Sequence, residues 1–344
     1  MTSILIPTFF LFLFSFFTLF GIRIPLARTQ LFYFLAGLVA FVAVKKLGRR
    51  MFQFNTKFFY WFFVLLLIGT FIIGLEVKGS KRWIDLYLFN FQASEFFKVF
   101  FILFFSRQLS KNVPISQAGR LFLRLFLYMI LPAFIIFKQP DLGNAMVYVF
   151  LFIVLILFSR IPRSYLVSLI GVGVALVPFM WFFLKDYQRN RILSFASPHL
   201  ETQGNAYNMI QAMITIGSGQ WLGRGLGLGT QSRLFFLPEN NTDFAFASLV
   251  EQFGFAGGFV VILLYVTIAI MLFSKLIKYV GGDDEESRFK FLYTLGILSY
   301  ILFQVFVNIG MNLGILPIAG IALPFISYGG SLVVTLMVGF ALLP

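Results

Sequence analysis

The residues with the most chemical potential are charged groups standing beside apolar runs. Asp243 lies between Thr242 and Phe244, where a polar stretch turns into a long apolar one. An aspartate there suits the positive end of a helix as its N-cap. A carboxylate at a lipid–water boundary also suits taking a proton from a weak nucleophile such as a hydroxyl. Position alone leaves both roles open. In Ser94-Glu95-Phe96-Phe97-Lys98, Glu95 and Lys98 stand at i and i+3, share one helix face and can pair. Ionisable groups at membrane depth are costly and point to function by default. The other reading is an ion pair that orients the bundle. Lys138-Gln139-Pro140-Asp141-Leu142-Gly143 makes a tight turn in which Asp141 caps the next helix or serves a site. Arg189 and Arg191, in Asp186-Tyr187-Gln188-Arg189-Asn190-Arg191, and Arg82 ahead of Trp83 offer guanidinium forks. Such forks match phosphate oxygens, in a substrate or in lipid headgroups.

The elements that must position these groups are helices in a membrane. The chain has 344 residues, 60% hydrophobic and 12% charged, where a soluble domain carries about 25% charged residues. Its apolar runs are continuous rather than alternating and long enough to cross a bilayer, which predicts an all-α polytopic bundle. Ten segments can be drawn, at 4–20, 31–44, 58–75, 94–109, 121–137, 143–159, 164–184, 244–273, 289–309 and 325–343. No soluble block is long enough for a second domain, so residues 1–344 read as one transmembrane domain. The 50 phenylalanines read mainly as lipid-facing filler. The absence of cysteine excludes disulfides and thiolate chemistry, and one histidine, His199, excludes a multi-histidine metal site. A net charge of +14 suits anionic lipids or an anionic substrate. The N-terminal run reads as a retained first helix, not a cleaved signal peptide.

Charge sets the expected orientation. The short loops after segments 2, 4, 6 and 8 hold 14 of the 27 basic residues, so both termini are expected on the cytoplasmic side. Four acids form the run Asp283–Glu286, a solvated loop tip on that side. The other nine, Asp243, Glu95, Asp141, Glu239 and Glu251 among them, fall in outer loops or near outer helix ends. Carboxylate chemistry is therefore expected outside. The outer loop 185–243 is long enough to be functional. Within it Ala206, Tyr207, Met209, Ile210, Met213, Ile214 and Ile216 share one side of a helical pattern. That pattern fits either an interfacial helix bordering a headgroup groove or a packed loop helix. The six glycines from Gly217 to Gly229 match no nucleotide-binding motif and read as a mobile or tightly turned loop.

Five stretches together carry a resemblance: 81–99 (KRWIDLYLFNFQASEFFKV), 138–145 (KQPDLGNA), 186–192 (DYQRNRI), 227–257 (GLGTQSRLFFLPENNTDFAFASLVEQFGFAG) and 308–331 (NIGMNLGILPIAGIALPFISYGGS). In this order they resemble the SEDS family (shape, elongation, division and sporulation), membrane peptidoglycan polymerases that include RodA and FtsW. DYQRNRI and NIGMNLGILP are nearer to RodA. The resemblance covers most of the chain from Lys81 onward, and residues 1–78 add only topology. The chain departs from the family pattern at Ala93, where proline is usual, and at Asn240-Asn241 before Thr242.

The resemblance implies an inverting glycosyltransferase that polymerises lipid II into β-1,4 glycan at the outer face of the bacterial cytoplasmic membrane, in cell elongation and shape. Asp243 matches the family's catalytic acid. A carboxylate base helps a sugar hydroxyl attack by about 10²–10⁴ in rate. Pyrophosphate leaves without an acid but needs positive charge, for which Lys98, Arg82, Arg189 and Arg191 are candidates, with a divalent cation such as Mg2+ or Mn2+ as a further source. Glu95 holds Lys98 or joins a cation site, and Asp141, Thr242, Gln231 and Glu239 are candidate substrate contacts. A single base without a paired-carboxylate motif fits single displacement. The expected partners are lipid II, a class B penicillin-binding protein and membrane lipids, with no nucleic acid. A lipid II transporter or a non-catalytic scaffold is the alternative.

Overall fold

The computed structural model describes residues 2–77, 80–85, 90–184 and 205–344, with Arg189, Leu193 and Phe195 between them. In chain order the elements are α1 (Leu5–Ile22), α2 (Ile24–Leu47), α3 (Arg49–Phe54), α4 (Thr56–Ile73), β1 (Leu75–Val77), β2 (Ser80–Asp85), β3 (Asn90–Phe91), α5 (Ala93–Leu109), α6 (Ile115–Lys138), α7 (Leu142–Leu157), α8 (Arg163–Phe183), α9 (Asn205–Ser218), α10 (Thr230–Arg233), α11 (Ala245–Ile277), α12 (Glu285–Asn312) and α13 (Gly330–Ala341). Each of the ten apolar segments coincides with a helix. Among the described residues, six helices are long and apolar enough to cross a membrane: α1, α2, α4, α6, α11 and α12. Shorter apolar helices follow at 142–157, 163–176 and 330–341. One feature departs from the expected pattern. The connection from α4 to α5 contains an antiparallel ribbon in the order β1-β2-β3, with Leu75 opposite Trp83 and Ile84 opposite Phe91. β1 and β3 are too short for periodicity, and the six residues of β2, SKRWID, do not alternate polar and apolar groups.

The chain groups into two compact units. One comprises residues 33–170, 269–302 and 330–344. Its centre is α5, on which Phe97, Phe101, Phe104 and Phe105 are all but fully buried. Phe97 and Phe104 pack on Tyr60 of α4, and Phe97 and Phe101 on Tyr148 of α7. The phenylalanines therefore divide: Phe58 and Phe134 face outward as filler, whereas those of α5 are the core. The acidic run of this unit is also divided. Asp283, 91% exposed, pairs with Arg160 at the surface, whereas the less exposed Glu286 pairs with Arg49 at 2.8 Å and Glu285 with Arg107 at 3.6 Å. The Asp284 carboxylate accepts from Ser287 N at 2.8 Å, and its bonds to Ser287 hold its pKa below the usual value.

The other unit comprises residues 1–32, 171–268 and 303–329. Its core joins Met209 and Ala212 of α9 to Leu237, Phe244, Ala247, Met311 and Ile318. The amphipathic helix expected in the long loop is thus α9, with Ala206, Met209 and Ala212 buried by protein. Helix α11 is interrupted at Gly254, where φ is 70° and ψ is −175°. A break frees backbone groups that lipid cannot satisfy. The glycine-rich loop satisfies them: Phe255 N and Ala256 N donate to the carbonyls of Gln220 and Trp221, and Arg224 N and Gly225 N to those of Glu251 and Gln252. A side chain at Gly223 would collide with the Gln252 carbonyl. The glycines from Gly217 to Gly229 thus serve a tight turn and close backbone approach.

Candidate active site

Asp243 is half-buried and stands two residues before α11. The backbone leading to it is gripped by the 308–328 segment of the same unit. Tyr328 N donates to Asn241 O at 2.8 Å. Ser327 Oγ donates to Thr242 O at 2.6 Å. Asn308 Nδ2 and Asn312 Nδ2 each donate to Asp243 O at 3.0 Å. Three consecutive carbonyls are therefore satisfied by one distant segment. Asn308 and Asn312 reach the same carbonyl because a spacing of four places them on one face of α12. Capping of α11 is shared out: the Ala247 N–H is taken by Asn312 Oδ1 at 3.1 Å.

The candidates around Asp243 take up specific places. Glu239 and Thr242 close the turn before it, with Thr242 Oγ1 donating to Glu239 Oε2 at 2.7 Å. Gln231 N donates to Glu251 Oε1 at 2.8 Å, while its own Oε1 is buried without a partner among the described residues. Glu251, fully buried, also accepts from Ser232 N at 3.0 Å and Ser232 Oγ at 2.6 Å. It is the acid that shapes the TQS turn. Asn240, one of the two departures from the family pattern, is buried and accepts at its carbonyl from Ser248 Oγ. Arg189 Nη2 donates to Phe182 O at 3.1 Å, and Arg191 lies outside the described residues.

The unit of residues 33–170, 269–302 and 330–344 gathers the other charged candidates into two pairs, one buried and one partly buried. Lys98 is 0% exposed and lies 2.6 Å from Glu95 Oε1. Tyr300 Oη donates to Glu95 Oε2 at 3.3 Å, and its ring faces the ammonium at 5.3 Å. Arg82 Nη1 stands 3.6 Å from Asp141 Oδ1, and Arg82 also donates to the carbonyls of Gln139 and Pro140. Asp141 caps α7 through Asn144 N at 3.3 Å and accepts from Asn144 Nδ2 at 2.8 Å. Both pairs lock turns and helices. Among the described residues no three histidine or acidic side chains converge on a metal position. Both Glu95 oxygens have partners, Lys98 and Tyr300. Glu95 is thus engaged by protein donors rather than grouped with other acids. A cavity of about 310 Å³ lies at the other end of α5, lined by Leu109, Lys111, Asn112 and Arg160, away from these acids.

Sequence reasoning gave Asn308, Asn312 and Ser327 no role, and placed Glu251 only among the outer acids. The signal available was the NIGMN spacing of two asparagines on one helix face inside an apolar run.

A polytopic α-helical membrane protein with a half-buried carboxylate at the mouth of one helix is the class defined by this fold and site. The model of the FTSW_RODA_SPOVE family, described as cell cycle protein, matches residues 4–344, and the chain belongs to that family. It is 34% identical over 314 residues to the peptidoglycan glycosyltransferase MrdB of Escherichia coli (strain K12), covering 89% of this chain and 81% of that one. To MrdB of Helicobacter pylori (strain ATCC 700392 / 26695) it is 34% identical over 339 residues, covering 96% and 85%. A solved chain from a peptidoglycan synthase complex that coordinates polymerization and crosslinking matches with TM-score 0.82 and 25% identity, over 99% of this chain and 96% of that one. Thermus thermophilus rod shape determining protein RodA matches in fold with TM-score 0.71 and 22% identity, over 99% and 94%.

Proposed function

We propose that this protein is a peptidoglycan glycosyltransferase of the bacterial cytoplasmic membrane that polymerises lipid II, with Asp243 as its general base. The observation that carries it is the fixed backbone of Asn241–Asp243 at the entry to α11, in a family whose relatives are named peptidoglycan glycosyltransferases. The acceptor's 4-hydroxyl attacks C1 of the donor sugar, and its proton passes to the Asp243 carboxylate. The C1–O bond to pyrophosphate breaks, and its electron pair leaves with the lipid pyrophosphate. One β-1,4 bond forms with inversion at C1. A hydroxyl loses its proton more readily as it becomes an oxonium, so the base is needed only as attack proceeds. Arg189 is a guanidinium group of the same unit suited to the leaving pyrophosphate, with Arg191 next to it but one in sequence. Glu95, Lys98, Arg82 and Asp141 support activity through the helices and turn they hold. Both termini are cytoplasmic and the Asp243 end of α11 faces outward, which the placement of basic loops supports. The partner is a class B penicillin-binding protein that crosslinks the product, supported by the match to a chain of a synthase complex.

Purified protein incubated with lipid II in detergent, scored for glycan polymer, tests the proposal. Asp243→Asn is expected to lose polymer by about 10²–10⁴ while keeping its fold. Full activity of that variant would remove Asp243 as base. Lipid II crossing vesicles without polymer would replace the polymerase by a transporter.

A further inference from the structure

Gly320 is the one residue of the 308–328 segment that comes close to the Asp243 carboxylate through an absent side chain. Its φ is 66°. A Cβ placed there would lie 3.8 Å from Asp243 Oδ2, and no other heavy atom among the described residues, apart from its chain neighbours, would be within 4 Å of it. Among the described residues the backbone at Gly320 is therefore a bare ledge beside the acid.

The ledge is tied to the same bonds that hold the acid. The second hydrogen of Asn308 Nδ2 goes to Ile321 O at 2.7 Å, so one amide joins the ledge to Asp243. Ser327 Oγ accepts from Leu323 N at 2.8 Å while donating to Thr242 O. From behind, Ser15 Oγ donates to Ile326 O at 2.7 Å, and Gln30 Nε2 donates to Ser327 O at 3.3 Å. Asn308 and Ser327 thus tie the acid's backbone to the turn that carries the ledge, and Ser15 and Gln30 hold that turn. A hydroxyl bound to a carboxylate at about 2.7 Å brings its own carbon within about 3.5 Å of that oxygen. A Cβ at Gly320, 3.8 Å from Oδ2, would take up one place on that shell of approach.

We propose that the 308–328 segment is the acceptor half of the reactive centre. Gly320 is the bare ledge over which an acceptor sugar brings its hydroxyl to Asp243 Oδ2. Asn308, Asn312 and Ser327 are positioning residues that set the height of the carboxylate above that ledge. The inference rests on Asp243 acting as base. A displacement of 1 Å at a reacting group can cost about 10² in rate, so loss of a positioning bond acts on turnover. Filling the ledge instead acts on acceptor binding.

The experiment measures initial polymerisation rates against lipid II concentration, with thermal unfolding of each purified variant as a fold control. Gly320→Asn fills the ledge with a residue that tolerates a left-handed backbone. It is expected to unfold near the wild-type temperature and to raise KM about ten-fold or more. Gly320→Ala fills less of the ledge but fits a positive φ less easily, so it is expected to move KM the same way by less at a lower unfolding temperature, and Ser327→Ala carries the test should the glycine variants misfold. Ser327→Ala is expected to lower kcat about ten- to a hundred-fold at nearly unchanged KM, and Ser327→Thr, which keeps the hydroxyl, to restore it. Wild-type kcat/KM in both glycine variants overturns the ledge, and wild-type kcat in Ser327→Ala overturns the positioning role. Asp243→Asn in the same assay separates the two levels. If it is inactive while the glycine variants are normal, only the ledge falls. If it is active, the base falls and the ledge with it.

Discussion

Lys98 Nζ lies 2.6 Å from Glu95 Oε1 on the first turn of α5, with the lysine wholly enclosed. Removing one member of a buried pair strands the other charge and costs about 3–5 kcal/mol, whereas replacing both by apolar groups is often neutral. Lys98→Met and Glu95→Met are each expected to lower the unfolding temperature. The double variant Glu95→Met/Lys98→Met is expected to regain most of it. Polymerisation by the double variant then reports whether the pair serves α5 alone. Restored activity assigns it to the scaffold, and a stable but inactive protein gives the charges a chemical part.

Glu251 is a second enclosed acid with a separate duty. It receives Gln231 N, Ser232 N and Ser232 Oγ at 2.6–3.0 Å. Glu251→Ala leaves these donors buried without acceptors, at about 1–3 kcal/mol each. Glu251→Gln keeps one carbonyl oxygen and is expected to lose about half as much. Thermal unfolding checks the order wild type, Gln, Ala. Equal stability of all three would detach Glu251 from the TQS turn.

Arg82 bonds the carbonyls of Gln139 and Pro140 and stands by Asp141. Lysine cannot reproduce this planar fork. Arg82→Lys is expected to lower stability and kcat while leaving KM for lipid II near wild type, because its donors face the turn. A KM rise with unchanged stability would instead make Arg82 a phosphate ligand.

Orientation can be read directly because the chain has no cysteine. A single cysteine at the exposed position Leu222 is expected to react with a membrane-impermeant maleimide in intact cells. Asp284→Cys is expected to react only after the membrane is opened. The reverse pattern would invert the proposed topology.

Much of the fold was legible in the sequence for a local reason. Runs such as 4–20 and 58–75 are apolar over a membrane thickness, and transfer of such a run from water to lipid favours a helix whatever its neighbours do. Asp243 was legible as a candidate because a lone acid at the end of such a run stands out, and Glu95 with Lys98 because a spacing of three puts them on one face. The ribbon β1-β2-β3 was not, since β1 and β3 are too short to show alternation and β2, SKRWID, has none. Nor was the burial of the α5 phenylalanines, whose composition matches that of lipid-facing residues such as Phe58.

The sequence by itself determined the helices, the membrane class and a candidate acid. Only the tertiary structure decided what holds that acid. Asn308 and Asn312 meet the Asp243 carbonyl across 65 and 69 residues of chain, and Ser327 meets Thr242 across 85. A buried carbonyl must find a donor, because leaving it bare costs several kcal/mol in an apolar medium. Local sequence imposes that requirement, but which donor meets it depends on the path by which α12 and the 320–328 turn return to the start of α11.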